Sequence, residues 1–360
     1  MDFRPSQEQV LLRDSVRRYF ENAGDDADDD TRDWRQFADF GWLAMPVPEA
    51  DGGLDAGLVD LAIVCEEIGA ALARAPFVAG AVLPARVVAR CPAAAARTAI
   101  LSALADGTQR YALAAYEAPR RYELSSPATR AERAADGRYR ISGGKTLVAG
   151  GAQADRLLVT AAIGSDARPA LFVVDARAAG VRRRVYAAVD GLPVADFEFA
   201  AVDAGAPLAL PDAAPSALDA ALDEATICLC ADLIGGIDQA VRQTAAYLRL
   251  RKQFGRPLAE FQALQHTVAE MSIEANSARS LLYRAIAAHG TDDAAQRVRA
   301  VAGCAIKTQQ VAKWVAGTAV HLHGGIGMTC EYAVGRHLLR ALVGERLLAD
   351  REHQLARYLS

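Results

Sequence analysis

Four cations crowd one stretch of this chain: Arg249, Arg251, Lys252 and Arg256, all within residues 247–271, YLRLRKQFGRPLAEFQALQHTVAEM. Two long helical patterns meet there at Phe254-Gly255-Arg256-Pro257. Proline cannot continue a helix interior, and glycine tolerates the dihedrals of a break. A bare helical hairpin needs neither this cation density nor a phenylalanine at its tip. Arginine carries a planar fork suited to phosphate oxygens, so the excess points to a polyanionic ligand. On spacing alone the plainer reading stands first, a solvated helix C-terminus neutralised by its own cations.

A second candidate is His321-Leu322-His323-Gly324-Gly325-Ile326-Gly327-Met328. Its glycines would let a ligand approach the backbone closely. They also read as a helix stop followed by a tight turn. His321 and His323 do not share a helical face, so no metal pair is expected. The carboxylates that could serve as a base are Glu331, Glu345, Asp350 and Glu352 after the glycines, and Asp223 and Glu224 in the helix leading to the cationic turn. Each, on spacing alone, reads more readily as a surface charge than as a base. There is no Ser-His-Asp order, no Walker sequence and no G-x-G-x-x-G after a strand. Cys65, Cys91, Cys228, Cys230, Cys304 and Cys330 show no metal spacing and read as reduced, buried thiols of a cytoplasmic protein.

These residues need a scaffold, and 360 of them suit two or three subdomains. Hydrophobic residues make up 52% and charged residues 23%, the balance of an ordinary globular chain. A net charge of −4 argues against sequence-independent nucleic-acid binding. No apolar run is long enough to span a bilayer, and the first residues lack an export signal. Residues 1–108 read as a helical domain. Ser6 and Gln9 form a capping box, and Val10, Leu11, Val16 and Phe20 are placed on one face of the first helix. Residues 24–33 read as a loop. Trp34 to Phe40 form a second helix, and Leu61, Val64, Ile68 and Leu72 are in step on a third. Residues 109–208 change to short strands taken as antiparallel, with Asp136-Gly137 as a two-residue hairpin turn. Residues 209–360 return to helix. Leu264, Val268, Met271, Ala275, Ala278 and Leu282 form a heptad seam, as in a helix bundle. The expected fold is therefore mainly α with a central β domain: N-terminal helical domain, small antiparallel β domain, C-terminal four-helix bundle.

Together these elements resemble the acyl-CoA dehydrogenase family. RKQFGRPLAEFQALQHTVAEM is similar to the family signature R-x-x-F-G-x-x-(I/L)-x-x-x-Q-x-x-x-x-x-x-A-x-M, and HLHGGIGMTCEY to its Q-x-x-G-G-x-G segment. Within the family, GGIGM…EY and the terminal LLAD look most like the small subunit of pimeloyl-CoA dehydrogenase and related heteromeric enzymes. The resemblance implies an FAD site between β domain and bundle, completed by a neighbouring subunit. Arg251, Gln253 and Phe254 match positions that hold the FAD diphosphate and adenosine across that interface. His321, Gly324 and Gly325 match the segment contacting the adenosine half, with histidine in place of the usual glutamine. The implied reaction is α,β-dehydrogenation of an acyl-CoA thioester. The implied partners are an electron-transfer flavoprotein or similar acceptor, and a second subunit in a homo-oligomer or heterotetramer.

Three departures stand out. The usual catalytic glutamate position falls on Ala349, next to Asp350, and the alternative base position on Ala225, next to Glu224. The T-E-P-G-A-G-S-D loop is replaced by Tyr116-Glu117-Ala118-Pro119-Arg120-Arg121-Tyr122-Glu123. The W-I-T-N-G segment is replaced by Leu147-Val148-Ala149-Gly150-Gly151. Two assignments follow. The chain is a working dehydrogenase with Asp350 or Glu224 as base, or a partner subunit that completes the FAD site of a catalytic paralogue.

Overall fold

Apolar residues at inward positions draw the middle of the chain into a sheet. The computed structural model describes residues 4–23, 30–92, 95–118, 120–165, 167–291, 293–329 and 332–360. The chain forms two compact units, Asp29–Gly57 with Arg74–Ala225, and Met1–Asp28 with Leu58–Ala73 and Thr226–Ser360.

The first unit holds the sheet. Its strands are β1 (Tyr111–Ala114), β2 (Arg130–Arg133), β3 (Tyr139–Ala149), β4 (Arg156–Ile163), β5 (Pro169–Asp175), β6 (Val181–Ala187) and β7 (Pro193–Gly205). They lie in the order β1-β4-β2-β3-β7-β6, with β5 on the other edge of β4. Ile141, Leu157, Val159, Phe172 and Phe197 are fully buried at its centre. Not every pairing is antiparallel: β1 and β2 both run parallel to β4. The β2–β3 hairpin lies between β1 and β4 in sequence, and supplies the crossover that a parallel pair needs. The hairpin turn also differs from expectation. Gly137 alone of the Asp136-Gly137 pair has positive φ, at 81°. Gly137 N–H donates to Ala134 O at 2.9 Å, a type I turn followed by a left-handed glycine. Strand β6 was hidden in sequence by Arg182-Arg183-Arg184. It is an edge strand, and Arg182 and Arg184 pair across it with Glu198 at 3.1 Å and Asp196 at 2.5 Å.

The same unit includes helices near its N-terminal side. Residues 24–29 lie outside the described residues, and helix begins at Asp30. With α1 (Gln7–Ala23) belonging to the second unit, the helices here are α2 (Asp30–Asp39), α4 (Leu83–Ala89) and α5 (Ala95–Ala105). Trp34, Phe37, Trp42 and Phe77 form their buried aromatic core.

In the second unit α1 is joined by α3 (Leu58–Ala71), the greater part of α6 (Ala214–Leu250), α7 (Gln262–His289), α8 (Ala294–His323), α9 (Ala333–Leu347) and α10 (Arg351–Leu359). The expected capping box forms: Gln9 N–H donates to Ser6 Oγ at 3.2 Å, and Ser6 N–H to Gln9 Oε1 at 3.0 Å. Val16 and Phe20 are buried, but Val10 and Leu11 are 42% and 61% exposed. They sit off the inward face, whose rotation is held by a forked bond from Arg17 to Glu67 at 3.1 and 2.8 Å. The expected α7 seam is buried from Met271 through Leu282. No helix among the described residues is long and apolar enough to cross a membrane.

Helices α3 and α6 touch backbone to backbone. A Cβ on Gly69 would lie 1.8 Å from Asp232 O, and one on Gly235 1.8 Å from Glu66 O. Each glycine thus faces the carbonyl beside the other helix's acid. Arg340 on α9 forks Asp232 at 2.7 and 2.5 Å and also donates to Ala73 O at 2.9 Å. Arg279 on α7 bridges Glu66 at 2.6 Å and Asp238 at 2.5 Å. Gly235→Ala should therefore force the helices apart and cost about 3 kcal/mol or more, read as a lowered denaturant midpoint.

His337 on α9 is 3% exposed and neither ring nitrogen has a hydrogen-bond partner among the described residues. Burial, with Arg340, Arg336 and Arg242 around it, pulls its pKa down to about 3. The unfolded chain takes up this proton below its ordinary value near 6.5, while the folded chain resists until about 3. Stability is thus lost as pH falls between those values, by about 1.4 kcal/mol per pH unit from this group. A His337→Phe variant should show a flatter decline in melting temperature from neutral pH to pH 4 than the parent.

Candidate functional site

Helix α6 ends at Leu250, and the cationic stretch beyond it is a miniature hairpin rather than a plain turn. Its strands are β8 (Lys252–Gln253) and β9 (Arg256–Pro257), paired antiparallel. Phe254 and Gly255 at the tip both have positive φ, 54° and 81°. That is the signature of a tight primed turn. Arg251 N–H still donates to Tyr247 O at 2.9 Å, and Leu258 N–H closes the base onto Arg251 O at 2.8 Å. The Arg256 guanidinium lies 4.1 Å from the Phe261 ring centroid. The side chains of Arg251 and Lys252 are exposed and make no ion pair among the described residues. Gln253 Nε2 donates to Lys252 O at 2.8 Å. Phe254 is 90% exposed.

The glycine segment follows α8. Gly324 ends that helix with φ 66°, and Gly324–Met328 makes a short 3-10 turn. Its glycines divide by role. A Cβ on Gly327 would lie 2.8 Å from Val320 O, so Gly327 serves packing. A Cβ on Gly324 or Gly325 would meet nothing within 4 Å, so these two present backbone to open space. His321 is exposed, while His323 is 3% exposed. The His323 ring stacks on Tyr247 at 4.4 Å and lies 5.1 Å from Tyr332. Tyr247 Oη donates to His323 O at 3.3 Å. Through this stack the last turns of α6 and α8 meet at one end of the helical unit. His323 Nδ1 lies 2.7 Å from Ala319 O, and burial holds the ring below its ordinary pKa. Nδ1 therefore carries the hydrogen, and Nε2, buried and with no partner among the described residues, is left as an acceptor. Sequence had singled out His321 for a contact; the buried, oriented ring is His323, and Tyr247, four residues before Arg251, was the unread signal.

Both proposed bases are engaged. Asp350 is 4% exposed and caps α10, accepting from His353 N–H at 3.0 Å, with Arg346 at 3.5 Å. Glu224, also 4% exposed, is held in the sheet-bearing unit by Arg86 at 3.2 Å and Arg90 at 2.5 Å. Asp223 is buried, Glu345 half-buried and Glu352 exposed. Glu331 and Cys330 lie outside the described residues. Ala349 is buried, and its carbonyl accepts from Gln309 Nε2 at 3.0 Å.

The two altered loops belong to the sheet-bearing unit, with Pro119 outside the described residues. Glu117 turns inward beneath the first loop. Its carbonyl accepts from Arg120 N–H at 3.0 Å and Arg121 N–H at 2.8 Å. Its carboxylate meets Lys145 Nζ at 2.7 Å. Lys145 is fully buried, and burial lowers its pKa to about 8 against the pull of Glu117. Burial raises the Glu117 pKa, but the Lys145 charge and bonds from Lys145 and Thr129 bring it below the ordinary carboxylate value. The second loop opens with Leu147 at φ 52°, whose N–H donates to Asp196 Oδ1 at 3.0 Å. Sequence reading missed the Lys145–Glu117 pair. The signal was parity: Lys145 shares the inward face of β3 with Ile141. A lysine at such a position requires an acid opposite.

Residues 6–108 match the acyl-CoA dehydrogenase N-terminal domain and residues 216–349 the acyl-CoA dehydrogenase C-terminal domain. The chain is 30% identical to the acyl-CoA dehydrogenase FadE28 of Mycobacterium tuberculosis over 372 residues, covering 99% of this chain and 97% of that protein. It is 29% identical to FadE27 of the same organism over 342 residues, covering 90% and 86%. Among solved structures it is similar to the ChsE4-ChsE5 complex from Mycobacterium tuberculosis, with a TM-score of 0.87, 26% identity, and coverage of 99% of this chain and 97% of that one.

Phenylalanine is strained at the positive φ of the hairpin tip, whereas asparagine tolerates it. Phe254→Asn should leave the fold intact or stabilise it by about 0.5–1 kcal/mol. Thermal unfolding of the flavin-free protein checks this; a fall of similar size would mean that the edge contact of Phe254 with Phe261, at 6.2 Å between ring centroids, outweighs the strain.

Proposed function

Since the chain belongs to the acyl-CoA dehydrogenase family, whose members are FAD-dependent oxidoreductases acting on CH–CH donors, we propose that it serves the α,β-dehydrogenation of an acyl-CoA thioester as one subunit of a dimeric or heterotetrameric enzyme. The observation that carries this is the end of the helical unit where the Arg251 hairpin and the Gly324-Gly325 turn are both left open. The residues present fit the diphosphate and adenosine half of FAD. Arg251 is a cation without an ion pair among the described residues, able to fork a phosphate. The two open glycines admit a ligand to within backbone reach. The buried His323 ring, stacked on Tyr247, holds the glycine turn in place beside the hairpin. Phe254 and His321 are exposed beside them and offer ring surface and a further hydrogen bond.

When bound, the flavin takes up the β-hydride of the acyl group. The chain's own residues supply charge and placement on the nucleotide side. Arg251 offsets diphosphate charge, and the neutral His323 ring adds no competing cation. Electrons would leave to an electron-transfer flavoprotein or a similar acceptor.

One observation favours the narrower reading that this chain is the partner subunit of a catalytic paralogue. Its two candidate bases are both tied down, Asp350 as a helix cap and Glu224 between two arginines. A carboxylate so held is poorly placed to accept an α-proton. The similar ChsE4-ChsE5 structure is itself a complex of two different chains. On this reading Arg251 and the glycine turn serve FAD across the interface, and the base comes from the other subunit. A steroid side-chain, dicarboxylyl or simple fatty acyl thioester are the substrate classes to compare.

The test is expression alone and with a paralogous partner, following flavin absorbance and its bleaching by acyl-CoA thioesters. Stoichiometric flavin bleached by substrate in the lone chain would refute the partner-subunit reading. Arg251→Ala should weaken flavin retention in the complex by about tenfold or more, the loss of one charge-assisted contact. In the same complex Asp350→Asn should leave turnover unchanged and cost at most about 0.5 kcal/mol of stability, since asparagine caps a helix about as well as aspartate. A turnover drop of about a hundredfold or more would instead make Asp350 the base.

A further inference from the structure

We propose that the buried Lys145–Glu117 pair is a positioning device for residues 116–123 and 146–151, the segments standing where the family's flavin-ring contacts lie; this rests on the FAD reading above.

The pair is a complete network. Lys145 Nζ donates to Glu117 Oε1 at 2.7 Å, Thr160 Oγ1 at 2.8 Å and Ala115 O at 3.1 Å, which uses all three ammonium hydrogens. Glu117 Oε1 also accepts from Thr129 Oγ1 at 2.7 Å and Thr129 N–H at 3.0 Å, and Oε2 from Ala128 N–H at 2.6 Å. The partners sit on separate pieces of chain: the end of β1, the approach to β2, β3 itself, and β4. Gly143 keeps β3 tight against the approach to β2, since a Cβ there would lie 2.7 Å from Thr129 Cα.

Both loops hang from this node. Thr146, next to Lys145, donates its N–H to Tyr116 O at 2.9 Å, and the Glu117 carbonyl closes the turn to Arg120 and Arg121. Leu147 then takes its left-handed φ of 52°, fastened to Asp196. The first loop has lost the family's glycines, so its path is set by a side-chain anchor rather than by free backbone. Stability does not call for such a pair. Two buried charges are costly to desolvate, and an apolar pair of similar volume often does as well. What the ion pair adds is a single allowed arrangement of the loops above it.

The test uses the double variant Lys145→Met with Glu117→Gln in the full chain, alone and with its partner, read by amide hydrogen exchange and flavin absorbance. The expected result is a melting temperature within a few degrees of the parent and exchange at least about tenfold faster at 116–123 and 146–151. A shifted flavin absorption band should accompany it. Unchanged exchange in those segments, an acceleration spread evenly over β1 to β7, or an unaltered flavin band overturns the proposal. Should the double variant fail to fold, Thr129→Val removes one donor to Glu117 without stranding a charge. Faster exchange confined to 116–123 then supports the device, and its absence overturns it. If the parent complex takes up no flavin, the FAD reading fails by itself. The exchange data on the flavin-free chain still decide whether the pair positions these loops.

Discussion

Two helices in backbone contact cannot slide past one another, and the α3–α6 crossing imposes that condition on the helical unit. Gly69 and Gly235 are each pressed against a carbonyl of the facing helix. The acids beside those glycines then locate two more helices. Asp232 takes Arg340 of α9, and Glu66 takes Arg279 of α7. One contact thus sets the placement of four helices. The stack of Tyr247 on His323 carries the same constraint along α6 to the end of α8. The open glycine turn and the cationic hairpin inherit their positions from a crossing that contains neither.

The charges of the chain divide sharply. Buried acids are consumed: Asp51 by Arg97, Glu117 by Lys145, Glu224 by Arg86 and Arg90, Asp232 by Arg340. Each such pair is a cost that only a full set of partners offsets. Against this background, exposed Arg251 and Lys252 without ion pairs stand out. Other surface cations, such as Arg284 and Lys313, are likewise exposed without an ion pair among the described residues; Arg251 and Lys252 differ in lying side by side at the end of one helix. Together with the open backbone of Gly324 and Gly325, that grouping is what supports the anion-site reading proposed for this end of the helical unit.

The fold class was legible because its signals are local. The Ser6–Gln9 box, the α7 seam and the stop at Gly324 all lie within a few residues of what they control. Pairing was less legible. Parallel contacts of β4 with β1 and β2 join segments far apart in sequence, and nothing in either strand encodes direction. Strand β6 was masked because its side chains are mostly exposed, so alternation carried no apolar mark. At the site, residue types pointed to Arg251 and the glycines, but not to engagement. That Glu224 is clamped depends on Arg90, 134 residues earlier, whereas the Asp350 cap is set by His353 only three residues on and was legible as a helix start. His323 was passed over because the ring it rests on, Tyr247, belongs to another helix.

The placement of α3 has a consequence for biosynthesis. Residues 58–73 belong to the unit that is completed only by residues 226–360, whereas the sheet closes from strands contiguous between Tyr111 and Gly205. On the ribosome α3 emerges early, and every residue from Leu61 to Gly69 is one the finished protein buries. Until α6 follows, only α1 of its own unit is there to cover it, and the face that later meets α6 must be shielded by a chaperone or a transient collapse. A message cut short after the sheet would therefore yield a chain with a finished β core and an orphaned apolar helix, a form marked for aggregation or proteolysis rather than for partial function.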